Sequence, residues 1–410
     1  MLSWCCALLR TDGITIQKGT TMSQKNSTLH HMTAGFTAVL VGYTSSVVII
    51  LQAATAAGAS PEQIESWLLA LGVTMGVTSI GFSWYYKVPI LTAWSTPGAA
   101  ILVSSATEYD MSALIGAFVV SGLLILMTGL VSPLSKALQR IPTPLATAML
   151  GAILLPFCVR AFEPAMTTPY AFIWMFLTFI VSKRFVPKYT MLLLVVGCAL
   201  AFSADSESMS NPELVIAQAS WVTPVLDWSA ILNISLPLYI VTMLSQNLPG
   251  VAMMKSYQYE TPVKPVLVGT GLANVLSAPF GGFSVNLAAI SAAICMNDDV
   301  DADKSKRYRA VIWAGVFYLI AGLLASVVVS MFLAFPKEIT HMLAGFALLG
   351  TLMMCLQSAF DSPDYREPAL LVLVVTLSGV TILGINSTLL GLFVGWFYSV
   401  LFGLSRKKGH

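Results

Sequence analysis

The chain has 410 residues, of which 57% are hydrophobic and 10% are charged, with a formal net charge of +2 and a mean hydropathy of +0.81. Soluble proteins have about a quarter of their residues charged, so this composition excludes a soluble globular protein and indicates an integral membrane protein. The lipid bilayer is the expected environment of such a chain, and no nucleic-acid partner is expected.

The N-terminal segment 1–32 is polar and differs from the rest of the chain. Its apolar stretch 4–9 is too short for the apolar region of a signal peptide, and no small-residue cleavage site follows. We therefore predict no signal peptide and a disordered cytoplasmic tail over 1–32, with Met22 and Met32 as alternative starts.

Charge-free runs predict the transmembrane helices, because a helix needs about 20 mostly apolar residues to cross the hydrocarbon core. Two runs, 265–297 and 368–405, are too long for one helix and contain breakers at 279–282 and 384–387, so each predicts two spans. Further runs predict one span each, at 26–61, 66–86, 88–107, 111–135, 141–159, 164–182, 189–204, 228–254, 310–336 and 339–360. We predict an all-α polytopic membrane protein with fourteen transmembrane segments.

The distribution of Lys and Arg predicts the orientation of these spans. If the N-terminus is cytoplasmic, all but two of the 21 basic residues fall in predicted cytoplasmic pieces, and only Arg160 and Lys337 fall outside. This bias follows the positive-inside rule. We therefore expect both termini in the cytoplasm.

The spans divide into two sets of seven, 33–204 and 228–405, joined by a predicted periplasmic linker at 205–227. An odd number of spans in each set gives the two halves opposite orientations, which makes an inverted repeat. In each half the third span is short and interrupted, reading VPILTAWSTPGAAILV at 88–103 and PFGGFSVNLAAISAAI at 279–294. Paired interrupted segments of this kind indicate a transporter binding site.

We predict that spans 3 and 10 are discontinuous, each an extended piece followed by a half-helix. The start of a half-helix leaves unpaired N–H groups and a positive dipole end at mid-membrane, where lipid cannot satisfy them. Two such ends would suit a carboxylate. The alternative is that Gly and Pro only permit close packing of helices here.

The spans contain no Asp, Glu, Lys or Arg, so amides and hydroxyls supply the polar groups at membrane depth. Gln246 is the strongest candidate, because burying the Gln246–Asn247 amides unpaired costs several kcal/mol; an interhelical hydrogen bond is the alternative. Trp94 could form a wall for a flat ligand, or could pack or anchor at the interface. The candidate substrate-binding residues are Tyr43, Ser46, Trp94, Ser95, Thr96, Pro97, Gln246, Asn247, Phe283, Ser284 and Asn286.

Two Asp-containing loops, NDDVDADKSKRYR at 297–309 and DSPDYRE at 361–367, favour a different chemistry. Paired Asp motifs on one membrane face can hold Mg²⁺ and a diphosphate, as in intramembrane prenyltransferases. In 297–309 the acids alternate with basic residues, which is typical of a solvated loop. The cysteines show no CxxC pair and the four histidines are scattered, so we expect no catalytic residue, metal site or cofactor.

Long collinear stretches of the sequence resemble the bacterial benzoate–proton symporter family, BenE type. These stretches are VPILTAWSTPGAAIL, TMLSQNLPGVAMMK and SAPFGGFSVNLAAISAAIC, with AGFTAVLVGYTSS near the start and HMLAGFALLGT near position 345. The resemblance extends from about residue 33 to residue 406. It implies an inner-membrane carrier, not an enzyme, that takes up benzoate or a similar aromatic carboxylate with a proton.

More distantly, the chain is similar to nucleobase transporters with a seven-plus-seven inverted-repeat fold. That likeness implies a core domain formed by 33–133 and 228–334, a gate domain formed by 141–204 and 336–405, and, as a hypothesis, a homodimer. In those relatives acidic residues on spans 8 and 10 hold the nucleobase and matter for proton coupling. Here Gln246 lies near the first position and the segment 284–286 near the second, so the proton-coupling residue stays unassigned.

The resulting hypothesis is an alternating-access importer of an aromatic carboxylate. The carboxylate would be received at the two half-helix ends by Ser95, Thr96, Ser284 and Asn286. Trp94 or Phe283 would face the ring, and Gln246 with Asn247 would order an unwound region. The alternatives are a carrier of neutral nucleobase-like solutes and a Mg²⁺-dependent prenyltransferase.

Overall fold

A computed structural model describes residues 24–131, 141–203 and 216–403 of the chain. Its two short strands are β1 (Thr92–Trp94) and β2 (Val285–Leu287). Its helices are α1 (Gln24–Thr44), α2 (Val47–Ala56), α3 (Pro61–Tyr86), α4 (Thr96–Ser105), α5 (Met111–Leu130), α6 (Thr143–Arg160), α7 (Pro164–Thr167), α8 (Pro169–Phe185), α9 (Thr190–Ser203), α10 (Trp228–Ser256), α11 (Val263–Ser277), α12 (Ile290–Met296), α13 (Tyr308–Leu323), α14 (Ala325–Leu333), α15 (Lys337–Phe360), α16 (Arg366–Leu377) and α17 (Ser387–Leu401).

Several of these helices are suited to a bilayer. Within the described residues, six helices are long and apolar enough to cross a membrane, and eight if each of two bent pairs counts as one. Large apolar side chains such as Trp174 on α8 and Phe397 on α17 are more than half exposed, which water would disfavour and lipid accepts. The chain is therefore an all-α protein with several apolar helices, and the count of fourteen spans stays a prediction.

One boundary of the predicted N-terminal tail is wrong. Residues 24–32, which the sequence places in a disordered segment, form the beginning of α1. The polar composition of residues 24–32 suggests disorder, but these residues are continuous with the apolar part of α1 and extend that helix. The rest of the tail, 1–23, lies outside the described residues, as does the part of the predicted linker at 204–215.

Two runs predicted as single spans are bent. α1 and α2 meet at an angle of 40°, and the helix that ends at Leu323 meets α14 at 57°. At the first bend, the hydroxyls of Ser45 and Ser46 donate to the carbonyl of Gly42 at 3.0 Å and 2.9 Å. Such back-bonding competes with the helical hydrogen-bond ladder and bends helices.

The closest helix packing groups the helices into two sets. In the first set α3 packs on α13, α5 packs on α11, and α1 packs on α13. In the second set α6 packs on α15 and α16, and α16 packs on α17. Small residues allow these approaches: a Cβ at Gly72 of α3 would lie only 2.6 Å from the Cα of Gly322 on α13.

The helices are interrupted at both predicted breakers, although Ser387 of the second already begins α17. The chain leaves α11 at Ser277 and turns through 278–282 before β2, and α16 ends at Leu377, ten residues before α17. The second break is held by Asn233 of α10. Its amide oxygen accepts the Asn386 N–H at 2.8 Å, and its amide nitrogen donates to the Gly384 carbonyl at 2.8 Å.

β1 and β2 form a buried antiparallel ribbon that joins the two halves of the chain. Thr92 pairs with Leu287, Ala93 with Asn286 and Trp94 with Val285. A two-stranded ribbon leaves alternate backbone groups unpaired along both outer edges. In an apolar interior each unpaired group costs free energy comparable to a lost hydrogen bond.

The outer edge of β1 is satisfied by one face of α3. The backbone N–H groups of residues 90, 92 and 94 donate to Ser83 Oγ at 3.1 Å, Ser79 Oγ at 3.0 Å and Met75 Sδ at 3.1 Å. The spacings match because four helical residues rise about 6 Å and two strand residues about 6.6 Å. A row at i, i+4 and i+8 on α3 therefore serves every second N–H of the strand.

The outer edge of β2 is satisfied by two amides. Asn274 of α11 accepts the Val285 N–H at 2.7 Å and donates to the Val285 carbonyl at 3.0 Å. Its side-chain amide thus makes the two hydrogen bonds that the backbone of a third strand would make. Asn247 of α10 accepts the Leu287 N–H at 3.0 Å. Buried side chains therefore take the place of neighbouring strands on both sides of the ribbon.

Replacing Ser79 by alanine tests this edge pairing. Ser79→Ala leaves the buried Thr92 N–H without its partner, and we expect a loss of about 1–3 kcal/mol of stability, measured as a lower Tm in detergent. Ser330→Ala is the control, because that exposed hydroxyl donates only to Val327 O of its own helix at 3.0 Å. Equal Tm values for the two variants would contradict the role of Ser79.

Candidate substrate site at the crossing of α10 with the two strands

Three hydroxyls meet where β1 ends, β2 begins and α10 passes, a place that we call the crossing. Thr242 Oγ1 donates to Ser95 Oγ at 3.2 Å and lies 2.5 Å from Ser284 Oγ. The Ser95 N–H donates to the Ser284 carbonyl at 3.0 Å. All three side chains are buried. The structure thus brings Ser95 and Ser284 together as predicted, and adds Thr242 between them.

Ser284 has a left-handed backbone with φ of +47°. Non-glycine residues in this region are strained, and such strain persists where surrounding contacts hold it. Here Ser284 is held by the Thr242 hydroxyl at its side chain and by Ser95 and Asn286 at its carbonyl, with Asn286 Nδ2 donating at 3.0 Å.

Trp94 is held in place beside this hydroxyl cluster. Its indole N–H donates to Ser46 Oγ at 2.7 Å, and its ring centroid lies 5.0 Å from that of Tyr43 at an interplanar angle of 48°. Only 5% of Trp94 is exposed, so it is not an interface anchor. The bend between α1 and α2 supplies both Tyr43 and Ser46.

Two buried polar atoms near the crossing have no hydrogen-bond partner among the described residues. They are the Tyr43 hydroxyl and Asn286 Oδ1. An unpaired buried polar group costs about 1–3 kcal/mol and calls for an explanation, such as a ligand or an ordered water. The Tyr43 hydroxyl can donate or accept a hydrogen bond, and Asn286 Oδ1 can only accept one.

The start of α4 offers fewer donors than a bare helix end. The Ser95 hydroxyl accepts the Gly98 N–H at 3.0 Å, and Pro97 has no N–H. A first-turn N–H has no intrahelical partner, so Thr96 supplies the remaining donor. Thr96 is half-buried and Pro97 is buried.

The region around Gln246, predicted to be unwound, is helical. α10 continues through it as a π-helical turn over Met243–Asn247. A second π-helical turn covers Ile231–Ser235, and each is followed at the second position by proline, Pro249 or Pro237. In a regular helix the proline ring clashes with the carbonyl four residues earlier, and a π-turn accommodates that irregularity.

Gly250 allows α10 to touch β2. A Cβ at this position would lie 2.6 Å from the Cβ of Leu287, closer than real contacts allow. One turn earlier, Asn247 holds the Leu287 N–H, while Gln246 is half-buried and makes no hydrogen bond within the described part of the chain. The two adjacent amides therefore have different roles.

Phe283 lies in an apolar cluster. It is fully buried, with its ring centroid 5.7 Å from that of Trp67 and 5.6 Å from that of Phe118. Of the two rings expected to face a ligand, the structure gives Phe283 a packing role and Trp94 a position beside the hydroxyls.

Some residues of the site were missed by sequence reasoning. Thr242 lies one turn before Gln246 on the same face of α10, and that i, i+4 spacing could have revealed it. Asn274 and Ser79 act on backbone groups of distant strands, and no local pattern in the sequence signals such pairing.

Two acids of the 297–309 loop, Asp298 and Asp303, pair with basic residues of the same loop. Asp298 Oδ1 lies 2.7 Å from an Arg307 nitrogen, and Asp303 lies 3.1 Å from Lys306 Nζ. Hydrogen bonds from the Ser305 side chain, with further ones from Lys306 and the Ser305 backbone, lower the pKa of Asp303 to about 2. These ion pairs match a solvated loop rather than a diphosphate site.

The sequence model of the benzoate membrane transport protein family, BenE, matches residues 25–401. The chain belongs to the BenE family. It is 39% identical over 376 residues to inner membrane protein YdcO of Escherichia coli (strain K12), covering 92% of this chain and 96% of that protein. It is 36% identical over 365 residues to the benzoate membrane transport protein of Acinetobacter baylyi, covering 88% and 92%. This BenE-family protein is therefore a membrane transporter and not an enzyme.

Solved anion-transporter structures share the fold of this BenE-family chain. SLC26A9 superimposes with a TM-score of 0.62 at 13% identity, covering 95% of this chain and 67% of that one. The transmembrane domain of the cyanobacterial bicarbonate transporter BicA superimposes with a TM-score of 0.59 at 15% identity, covering 91% and 97%. At these identities the likeness concerns the fold.

Gly250→Ala tests the contact between α10 and β2. The added methyl group must displace Leu287, so we expect a Tm lower by several degrees and weaker ligand binding, measured by thermal shift in detergent. Gly350→Ala is the control, because a Cβ there meets nothing within 4 Å and alanine favours a helix. A Gly250→Ala variant as stable as Gly350→Ala would contradict the close approach.

Proposed function

We propose that this BenE-family protein is a secondary active transporter that imports benzoate or a related aromatic carboxylate together with a proton by alternating access. The observation that carries the proposal is a buried, uncharged polar cluster beside Trp94 that contains two unpaired polar atoms, Tyr43 Oη and Asn286 Oδ1. We further propose the bacterial inner membrane as its location, with both termini in the cytoplasm.

The polar groups at the crossing suit the carboxyl end of such a substrate. The Tyr43 hydroxyl and the Thr96 N–H are donors for carboxylate oxygens, and the start of α4 contributes a positive dipole end. Ser95, Ser284 and Asn286 line the same crossing. The indole of Trp94, held by Ser46, provides a flat apolar face for the ring.

The uncharged character of the crossing supports coupling to a proton. No Lys or Arg is among the residues that form the cluster, so a carboxylate there would keep an uncompensated charge in an apolar interior. Benzoate transported with one proton is equivalent in charge to benzoic acid. The unpaired Asn286 Oδ1 is an acceptor for the hydroxyl of that neutral form.

Alternating access requires two bodies that move relative to each other. We propose the core domain, 33–133 and 228–334, and the gate domain, 141–204 and 336–405, as these bodies, in an inverted repeat with spans 3 and 10 as discontinuous half-helices. The two packing sets of helices support this division. Gln52 of α2 donates to the Thr340 carbonyl of α15 at 3.1 Å, which is one contact that the motion must break. A homodimer stays a hypothesis.

A carrier of neutral nucleobase-like solutes is the second candidate. The unpaired Asn286 Oδ1 and the half-buried Gln246 amide could bind the N–H and C=O groups of a base. The same crossing would then serve a substrate that needs no proton for charge neutrality.

Uptake into proteoliposomes tests the proposed substrate and coupling. We expect labelled benzoate to accumulate against its gradient when the outside is more acidic, and uracil not to accumulate. Benzoate entry that is indifferent to the pH gradient would refute symport, and accumulation of uracil alone would support the second candidate. Protein-free liposomes measure the passive entry of benzoic acid.

Tyr43→Phe tests the unpaired hydroxyl. Removing a donor to a buried carboxylate should raise the KM for benzoate about 5- to 30-fold, which corresponds to about 1–2 kcal/mol. Tyr85→Phe is the matched control, because Tyr85 is 72% exposed. An unchanged KM in Tyr43→Phe would exclude that hydroxyl from the site.

A further inference from the structure

A cavity lies between helices of the proposed core domain and helices of the proposed gate domain, away from the crossing. Its volume is about 390 Å³, within the range of small-molecule sites. We call it the basic cavity, and its lining includes Arg160, Lys337, Phe157, Phe332 and Phe335. Helices α2, α4 and α14 form one side, and α6 and α15 the other.

The charges of the basic cavity are all of one sign. Arg160 and Lys337 are exposed and form no ion pair with any described residue, and no Asp or Glu is among the lining residues. Two unpaired cations facing one concave, largely apolar surface raise the local concentration of anions.

These two residues are also the exceptions to the charge distribution of the chain. They are 177 positions apart, and they are the two basic residues that the predicted topology places outside the cytoplasmic pieces. Arg160 lies in the last turn of α6, where the helix dipole favours a cation. Lys337 begins α15, where the dipole disfavours one, so helix stability does not account for it.

Two helices run from the crossing to the basic cavity. α2 begins next to Ser46 and α4 begins next to Ser95, and both reach the cavity towards their other ends, at Thr55 and Val103. Along α4 the eight residues from Ser95 to Val103 span about 12 Å. The cavity therefore lies on one membrane side of the crossing, predicted to be extracytoplasmic.

We propose that the basic cavity is a second binding site for the aromatic carboxylate, which captures the anion before it reaches the crossing. This inference rests on the proposed function for the identity of the substrate. Arg160 and Lys337 bind the carboxylate, and the phenyl rings of Phe157, Phe332 and Phe335 surround the aromatic ring. Proton coupling is left to the deeper, uncharged crossing.

A reporter thiol placed at position 55 tests the cavity without transport. Thr55 lines the cavity and is exposed, and the described native cysteines are all buried. The parent protein for this test carries Thr55→Cys, with Cys5 and Cys6 replaced by serine. The comparison protein, called the double variant, also carries Arg160→Gln and Lys337→Gln. We expect the ratio of the reaction rate of an anionic methanethiosulfonate to that of a cationic one to be about tenfold higher in the parent protein than in the double variant. Benzoate should slow the reaction. Arg160→Gln with Lys337→Gln should abolish both effects.

Two matched variants separate the cavity from the crossing. Lys255→Gln neutralises an exposed lysine at the far end of α10 and should leave both effects unchanged. Tyr43→Phe weakens the crossing and should leave the protection of the reporter thiol by benzoate intact. Loss of protection in Tyr43→Phe, or its absence in the parent protein, would overturn the second site.

Transport kinetics give an independent readout. In proteoliposomes at low ionic strength, we expect the double variant to have a KM for benzoate about tenfold higher than the unmodified protein, with the same kcat. Added salt should reduce this difference in KM. A lower kcat with an unchanged KM would contradict capture. If benzoate protects the reporter thiol in the parent protein but is not transported, the proposed function fails while the carboxylate site stands.

Discussion

The structure depends on the need to satisfy the outer edges of a two-stranded ribbon inside an apolar interior. In water, the solvent can form hydrogen bonds with these N–H and C=O groups, but lipid and an apolar protein interior contain no such partner. The edge of β1 is met by Ser83, Ser79 and Met75 of α3, and the edge of β2 by Asn274 and Asn247. Because these partners come from both halves of the chain, the ribbon holds α3, α10 and α11 around one point.

The same constraint explains the polar segment of α10. Asn247 is needed for the edge of β2, and Gly250 is needed because Leu287 lies where a side chain would be. Pro249 is accommodated by the π-helical turn before it. The Thr242 hydroxyl is already bonded to Ser95 and Ser284. Gln246 is therefore the polar side chain of this segment that stays free to serve a ligand, so such groups are fewer than the sequence suggests.

In the proposed transport cycle, the basic cavity and the crossing have different tasks for the anionic substrate. The basic cavity presents two unpaired cations in a region that the predicted topology places near water, where charge attracts the anion at long range. The crossing presents dipoles and neutral hydroxyls in a buried region, where a full positive charge would itself be costly. Attraction and neutral binding are thereby separated by about the length of α4, roughly 12–15 Å. In the proposed symport, only the buried step needs a proton.

The sequence by itself determined the class of the protein, its family and the positions of its main interruptions, because hydropathy, breakers and long collinear motifs are local properties of the chain. The breaks at 279–282 and 384–387 and the meeting of Ser95 with Ser284 were predictable in this way. Tertiary structure alone decided that Trp94 is held by Ser46, that Phe283 packs against Trp67 and Phe118, and that α10 continues past Gln246. It also decided that Arg160 and Lys337 share one cavity. Each of these outcomes depends on which distant segments meet, and no periodicity along one segment encodes that.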